Sequence, residues 1–147
     1  MKKLSKICCA VFSIIIFAFG FTSEINANPG DLDLTFGNNG KVITDPNPTG
    51  DYRDFADAVA IQPDGKIVAA GAVAPIYSLK NGLIRYNADG SLDTTFGDNG
   101  VVSHNVDSTS IIHAIELLPN GQILTAGESF DLSSLYHSGF VCRTNAD

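Results

Sequence analysis

The chain is short of the residues that most often carry chemistry or meet nucleic acid. Its 147 residues include three cysteines, and two of these, Cys8 and Cys9, fall in an N-terminal apolar run. Beyond that run only Cys142 remains, which excludes an internal disulfide and leaves the fold to be held by packing or by neighbours. Cys142 sits in Phe140-Val141-Cys142 and reads as a buried structural thiol. Basic residues are scarce too, nine against sixteen acidic ones, for a net charge of −7. There is no basic stripe to displace counterions from phosphates, so nucleic acid and anionic lipid are excluded as partners. No segment sustains a helical period. The one long apolar run, residues 7–21, falls short of the ~20 residues that span a bilayer as a helix.

What is present at the N-terminus has the form of a secretory leader. Lys2, Lys3 and Lys6 precede the apolar run, and Ile25-Asn26-Ala27 leads to an expected cut between Ala27 and Asn28. Cys8 and Cys9 lie early in the run, without the leucine-led, small-residue context of a lipoprotein cleavage site. The expectation is a signal peptide over residues 1–27, export without a lipid, and no membrane span once the leader is removed. The mature chain then keeps six basic and fifteen acidic residues, a net charge of −9 that serves solubility. It is expected to be secreted, periplasmic or on the cell surface.

The mature part repeats itself. Gly30-Asp31-Leu32-Asp33-Leu34-Thr35-Phe36-Gly37-Asn38-Asn39-Gly40 returns sixty residues later as Gly90-Ser91-Leu92-Asp93-Thr94-Thr95-Phe96-Gly97-Asp98-Asn99-Gly100. The shared skeleton is G-x-L-D-x-T-F-G-x-N-G, and a self-match this long marks a repeat architecture. Pro63-Asp64-Gly65 and Pro119-Asn120-Gly121 repeat as tight turns between β-prone runs. The units are residues 28–90 and 91–147, the second shorter by four residues before its second run. In the first unit the strand candidates are residues 41–44, 56–62, 66–73 and 83–86. In the second they are residues 101–104, 113–118, 122–127 and 140–147. Four short strands per unit, meandering in sequence order, make an all-β fold of small antiparallel sheets. Residues 67–72 are apolar at every position, so both faces of that strand should be covered. Sheets stacked around an axis, as in a β-propeller, supply that cover.

Within the shared skeleton, Leu32/Leu92 and Phe36/Phe96 fall four apart, on one side of a single turn. Asp33 and Asp93 are placed to cap that turn, and the glycines allow the chain to re-enter a strand. The motif is predicted to staple neighbouring sheets. Together with Ala58-Val59-Ala60-Ile61-Gln62-Pro63-Asp64-Gly65-Lys66-Ile67-Val68-Ala69-Ala70-Gly71 and the junction Arg85-Tyr86-Asn87-Ala88-Asp89-Gly90, it resembles the delta-60 repeat family of exported bacterial proteins. The resemblance covers essentially everything after the leader. It implies propeller-like blades in secreted or cell-surface proteins, and it brings no catalytic residue with it. Members usually hold many repeats, whereas two units are too few for a closed propeller of at least about four blades. Two expectations follow: the chain is a shortened member of a longer protein, or it self-associates to complete a ring.

No constellation of catalytic type emerges. Asp31-x-Asp33-x-Thr35 and Asp98-Asn99-Gly100 are oxygen-rich, but Phe36 stands where a calcium loop needs glycine and no glutamate closes the loop. Turn and cap chemistry accounts for them. The Gly-x-Ser-x-Gly elbow is absent, and Gly127-Glu128-Ser129-Phe130-Asp131 does not match it. His104, His113 and His137 lack zinc-ligand spacing, and His113 takes the place of Asp57 at a strand start. Asp51, Asp54 and Asp57 form a solvated acidic patch, and Tyr52, Phe55 and Tyr77 offer aromatic surface for a sugar or peptide. No catalytic residue, metal or cofactor is therefore expected. The expected function is a non-enzymatic binding or interaction module for an extracellular ligand or protein, working through residues 45–55, 73–81 and 130–138. The alternative is an enzyme on a propeller scaffold acting on polysaccharide, which a pocket pairing a histidine with a carboxylate would favour.

Overall fold

The computed structural model describes residues 28–46, 53–73 and 78–146. The predicted leader lies outside them, as do Asp51, Tyr52 and Tyr77. Seven strands are present among the described residues: β1 (Phe55–Ile61), β2 (Ile67–Val73), β3 (Lys80–Tyr86), β4 (Val101–His104), β5 (Thr109–Leu117), β6 (Ile123–Phe130) and β7 (His137–Thr144). They form two antiparallel sheets, one in the order β1-β2-β3-β4 and one in the order β5-β6-β7. No helix occurs among the described residues.

The hairpin turns follow from their residues. Gly65 and Gly121 both hold φ 85°, a conformation open to glycine, after a proline that presets the first turn position. Gln62 and Lys66 close the first turn with an N–H to carbonyl bond of 2.7 Å, and Leu118 and Gln122 close the second at 2.8 Å. The first strand of each sheet carries a bulge, at Asp57 between Ala56 and Ala58 in β1 and at His113 between Ile112 and Ala114 in β5. Gly71 and Gly127 lie opposite, where any Cβ would collide with the carbonyl oxygens of Phe55 and Ile111. The bulges and these glycines thus require each other.

One expectation about strand pairing is corrected. Residues 41–44 were predicted to open the first unit's sheet, but they join no sheet and make only an isolated bridge from Lys41 to Gly37. The fourth strand of the first sheet is β4, which belongs to the second sequence repeat and pairs with β3 from Asn81↔His104 to Ile84↔Val101. Sequence repeat and sheet are therefore out of phase. The strand that follows the second signature is handed to the sheet that precedes it, which interlocks the two units.

The two sheets pack face to face, β5 lying across β1, β2 and β3. Val68, Ala70 and Leu83 from the first sheet meet Ile112 and Ile123 from the second, and Phe96 of the second signature fills the space between them. Phe96 is 1% exposed. Small residues in β2 let the sheets approach closely on the Val68 and Ala70 face; the opposite face, also predicted to be covered, lines an open groove at Ala69, Gly71 and Val73. Cys142 is free and half-buried in β7.

Candidate functional site

The second signature makes the joint between the sheets. Asp93 Oδ1 accepts from the Thr95 amide at 3.2 Å and from Thr95 Oγ1 at 2.6 Å, closing the turn on itself. Asp93 Oδ2 takes Arg85 Nε at 2.7 Å and Lys66 Nζ at 2.9 Å. The hydrogen bonds from Thr95 and Lys66, followed by that from Arg85, hold this carboxyl well below the usual carboxylate range. The Arg85 guanidinium lies over the Phe96 ring, 4.4 Å from its centroid, and donates through Nη1 to the Ala146 carbonyl beyond β7. One arginine thereby links β3, the signature and the end of the second sheet. Arg85, Asp93 and Phe96 at the joint are buried and engaged with one another, with Lys66 and Thr95 completing the contacts of Asp93 from the surface.

The first signature has the same local turn in different surroundings. Asp33 Oδ1 accepts from Thr35 N at 2.9 Å and Thr35 Oγ1 at 2.6 Å, and this lowers its pKa as well. Asp31 accepts from the Asn28 amide at 2.9 Å. The Gly37 amide bonds the Asp89 carbonyl at 2.8 Å, which anchors the motif to the turn after β3. Among the described residues no arginine or lysine is paired with Asp33, and Leu32 is 53% exposed. The oxygen ligands that suggested a calcium loop are engaged as turn caps, and no group of three or more metal-ligating side chains occurs among the described residues.

A second cluster joins the two bulges. His113 Nδ1 lies 3.0 Å from Asp57 Oδ2, and His113 Nε2 lies 3.5 Å from Glu128 Oε1 on the adjacent strand β6. A bulge turns its extra residue away from the ladder, and here two bulges at matching positions of neighbouring sheets aim at each other. His113 thus lies within β5 and not at its start. The arrangement can hold a proton between two carboxylates or offer one histidine edge to a ligand. All three side chains are solvent-exposed and no enclosing cavity surrounds them. The alignment of the repeats already set His113 on Asp57; what it could not show is that equivalent positions become spatial neighbours when sheets stack.

The other singled-out residues do not converge. His104 ends β4 in solvent, and His137 opens β7 with its ring 4.7 Å from that of Phe130. Asp54 and Phe55 line an open groove of about 240 Å³, together with Val42, Thr44, Ile84 and Tyr86. The Tyr86 hydroxyl donates to Thr44 Oγ1 at 2.9 Å across it.

The loop between β6 and β7 is built more firmly than its sequence suggests. The Asp131 carboxylate accepts from the Ser133 amide at 2.8 Å and from both serine hydroxyls, Ser133 and Ser134, which lower its pKa. The Leu135 amide closes on the Asp131 carbonyl at 2.8 Å, and Asp131 donates to the Tyr136 carbonyl at 3.1 Å. Leu135 holds φ 61°, a left-handed conformation that costs a leucine energy, with its side chain in solvent beside exposed Leu132 and Tyr136. The turn thus carries three exposed apolar side chains on one short loop.

A family model described as a β-propeller domain of unknown function (DUF5122) matches residues 62–96, from the first hairpin turn through β2, β3 and the junction to Phe96. Comparisons with curated proteins and with solved structures returned no match. The matched stretch contains Lys66, Arg85, Asp93 and Phe96 of the joint. The similarity supports a propeller-type repeat family, and the two antiparallel sheets fit a partial propeller.

Proposed function

We propose that this chain is an exported, non-enzymatic binding module built from delta-60-type repeats, and that the loop between β6 and β7 makes its contact. The observation that carries the reading is the strained apolar crest of Leu132, Leu135 and Tyr136 on its Asp131-capped turn. The leader composition supports export, and the absence of a basic stripe points away from nucleic acid. A partner surface of sugar rings or of extended peptide suits an aromatic and two aliphatic side chains exposed on one short loop. The test is retention of the purified chain on bacterial peptidoglycan sacculi and on intact cells, beside a variant carrying Leu132→Ser, Leu135→Ser and Tyr136→Ser. Retention of the native chain with loss in the variant is expected. Equal retention, or none by either, overturns the reading.

The Asp57–His113–Glu128 cluster favours a second reading, hydrolysis of polysaccharide. Its test is release of reducing ends from cell-wall polysaccharide. Activity lost on Glu128→Gln and His113→Ala would establish it in place of the first.

A further inference from the structure

We infer that the two open ends of this molecule fit each other, so that a second copy of the chain docks head to tail through a duplicate of the internal joint. The internal joint supplies the pattern. On the first sheet the covered face carries Ala58, Val68, Ala70, Leu83 and Arg85. The same register positions on the second sheet are Ala114, Leu124, Ala126, Val141 and Arg143, and they lie on the face turned away from the first sheet. Val141 is 68% exposed there, whereas its counterpart Leu83 is 2% exposed. This is the tail.

The head shows the converse. Ile115 and Leu117 of the second sheet pack into the internal joint. Their register counterparts on the first sheet, Val59 and Ile61, are 65% and 68% exposed. Leu32 and Asp33 of the first signature are exposed as well, and residues 41–44 join no sheet among the described residues. Those residues are the sequence copy of β4, the strand that β3 receives. Among the described residues β7 receives none on its outer edge. The head thus offers a strand and a carboxylate, and the tail offers a strand edge and an arginine.

Placed in the register of the internal joint, residues 41–44 of one copy add antiparallel to the partner's β7, with Asp33 meeting the partner's Arg143 as Asp93 meets Arg85. This is strand addition between identical chains. At the new joint the bulge residues stand in the reverse order, His113 on the preceding sheet and Asp57 on the following one. Such a contact is heterologous, so it propagates until the rotation closes a ring. Propellers close at about four to eight blades, which corresponds to two to four copies of a two-sheet chain.

The test is the solution mass of the purified exported chain by light scattering, over a dilution series. The native chain is expected at two to four times its own mass. Asp33→Arg alone and Arg143→Asp alone are each expected to weaken association by roughly tenfold or more, the order expected for opposing like charges at an interface. A one-to-one mixture of the two variants is expected to reassemble, because the altered head of one then matches the altered tail of the other. Both residues are exposed, so unchanged circular dichroism is expected; Val141→Lys, at an equally exposed position, provides a second disruption should either variant misfold. A monomeric native chain, assembly unaffected by the single variants, or a mixture that stays apart overturns the inference. A monomer that still binds cell envelopes removes this inference and leaves the proposed function standing.

Discussion

Asp33 and Asp93 close their turns with the same two bonds from a threonine two residues on, and Phe36 and Phe96 follow each at the same distance. Yet Asp93 is 4% exposed and holds Arg85 and Lys66, whereas Asp33 is exposed. The turn is therefore a property of the motif, and the fastening is a property of what stands on either side of it. A capped turn forms from local bonds alone. The buried ion pairs and the covered phenylalanine require a preceding sheet to supply the arginine and a following sheet to close over the ring. The second signature has both neighbours, and the first has only the following one.

The largest test of that contrast is at the phenylalanines. Phe96→Ala is expected to cost about 3–5 kcal/mol, the range for a buried phenylalanine, because the space it leaves lies between two sheets. Phe36→Ala, at a half-buried site, is expected to cost less than half as much. Urea denaturation of both variants gives the two values directly. Equal losses would mean that the first signature is fastened as firmly as the second.

Next come the carboxylates. Asp93→Ala leaves Arg85 buried without its partner, and the expected cost is about 2 kcal/mol, below the usual figure for a fully enclosed pair because Lys66 is partly in solvent. Asp33→Ala removes only a turn cap and should leave the midpoint nearly unchanged in the isolated chain. The pH dependence has the same origin. Asp93 titrates lower in the folded chain than in the unfolded one, so its contribution is complete above the unfolded value of about 3.9 and drains away as the pH falls below it. The thermal midpoint should hold between about pH 7 and pH 5, then drop below about pH 4, with a shallower drop for Asp93→Asn. Asp33, Asp89 and Asp131 shift in the same direction, so the variant should soften the acid transition without abolishing it. Superimposable profiles would show that Asp93 does not hold the joint.

Most of this local structure is legible in the residues. Proline-Asp-Gly and proline-Asn-Gly specify turns because proline presets one angle and glycine accepts the other, and both form as read. The staple is legible too, since Leu, Asp and Phe at those spacings have few other uses. Strand pairing is not. Residues 41–44 and 101–104 have the same place in their repeats, and a sequence period fixes where strands occur without saying which sheet receives them. β4 goes to the preceding sheet because β3 presents an open edge there, a long-range fact with no local signal. The Asp57–His113 contact was hidden for the same reason: it depends on stacking two bulges that lie fifty-six residues apart. The turn at Asp131 was hidden differently, because its serines and leucines carry none of the glycine or proline that announces a turn.

The smallest effect is the most informative about whether the two ends can join. The second repeat has Gln122 where the first has Lys66, so a joint made at Arg143 would lack the lysine that assists Asp93. Lys66→Gln writes that difference into the internal joint, where it can be measured in a single chain. The lysine side chain is 30% exposed, and Asp93 keeps both Arg85 and Thr95 without it. A half-solvated ion pair contributes little, so the expected loss is at most about 1 kcal/mol by urea denaturation. A loss that small means arginine, phenylalanine and the donated strand are enough to fasten two sheets, and the glutamine at the tail is no obstacle to a second copy. A loss as large as that of Asp93→Ala would mean instead that the lysine is essential, and the tail would then need Gln122→Lys before it could receive a head.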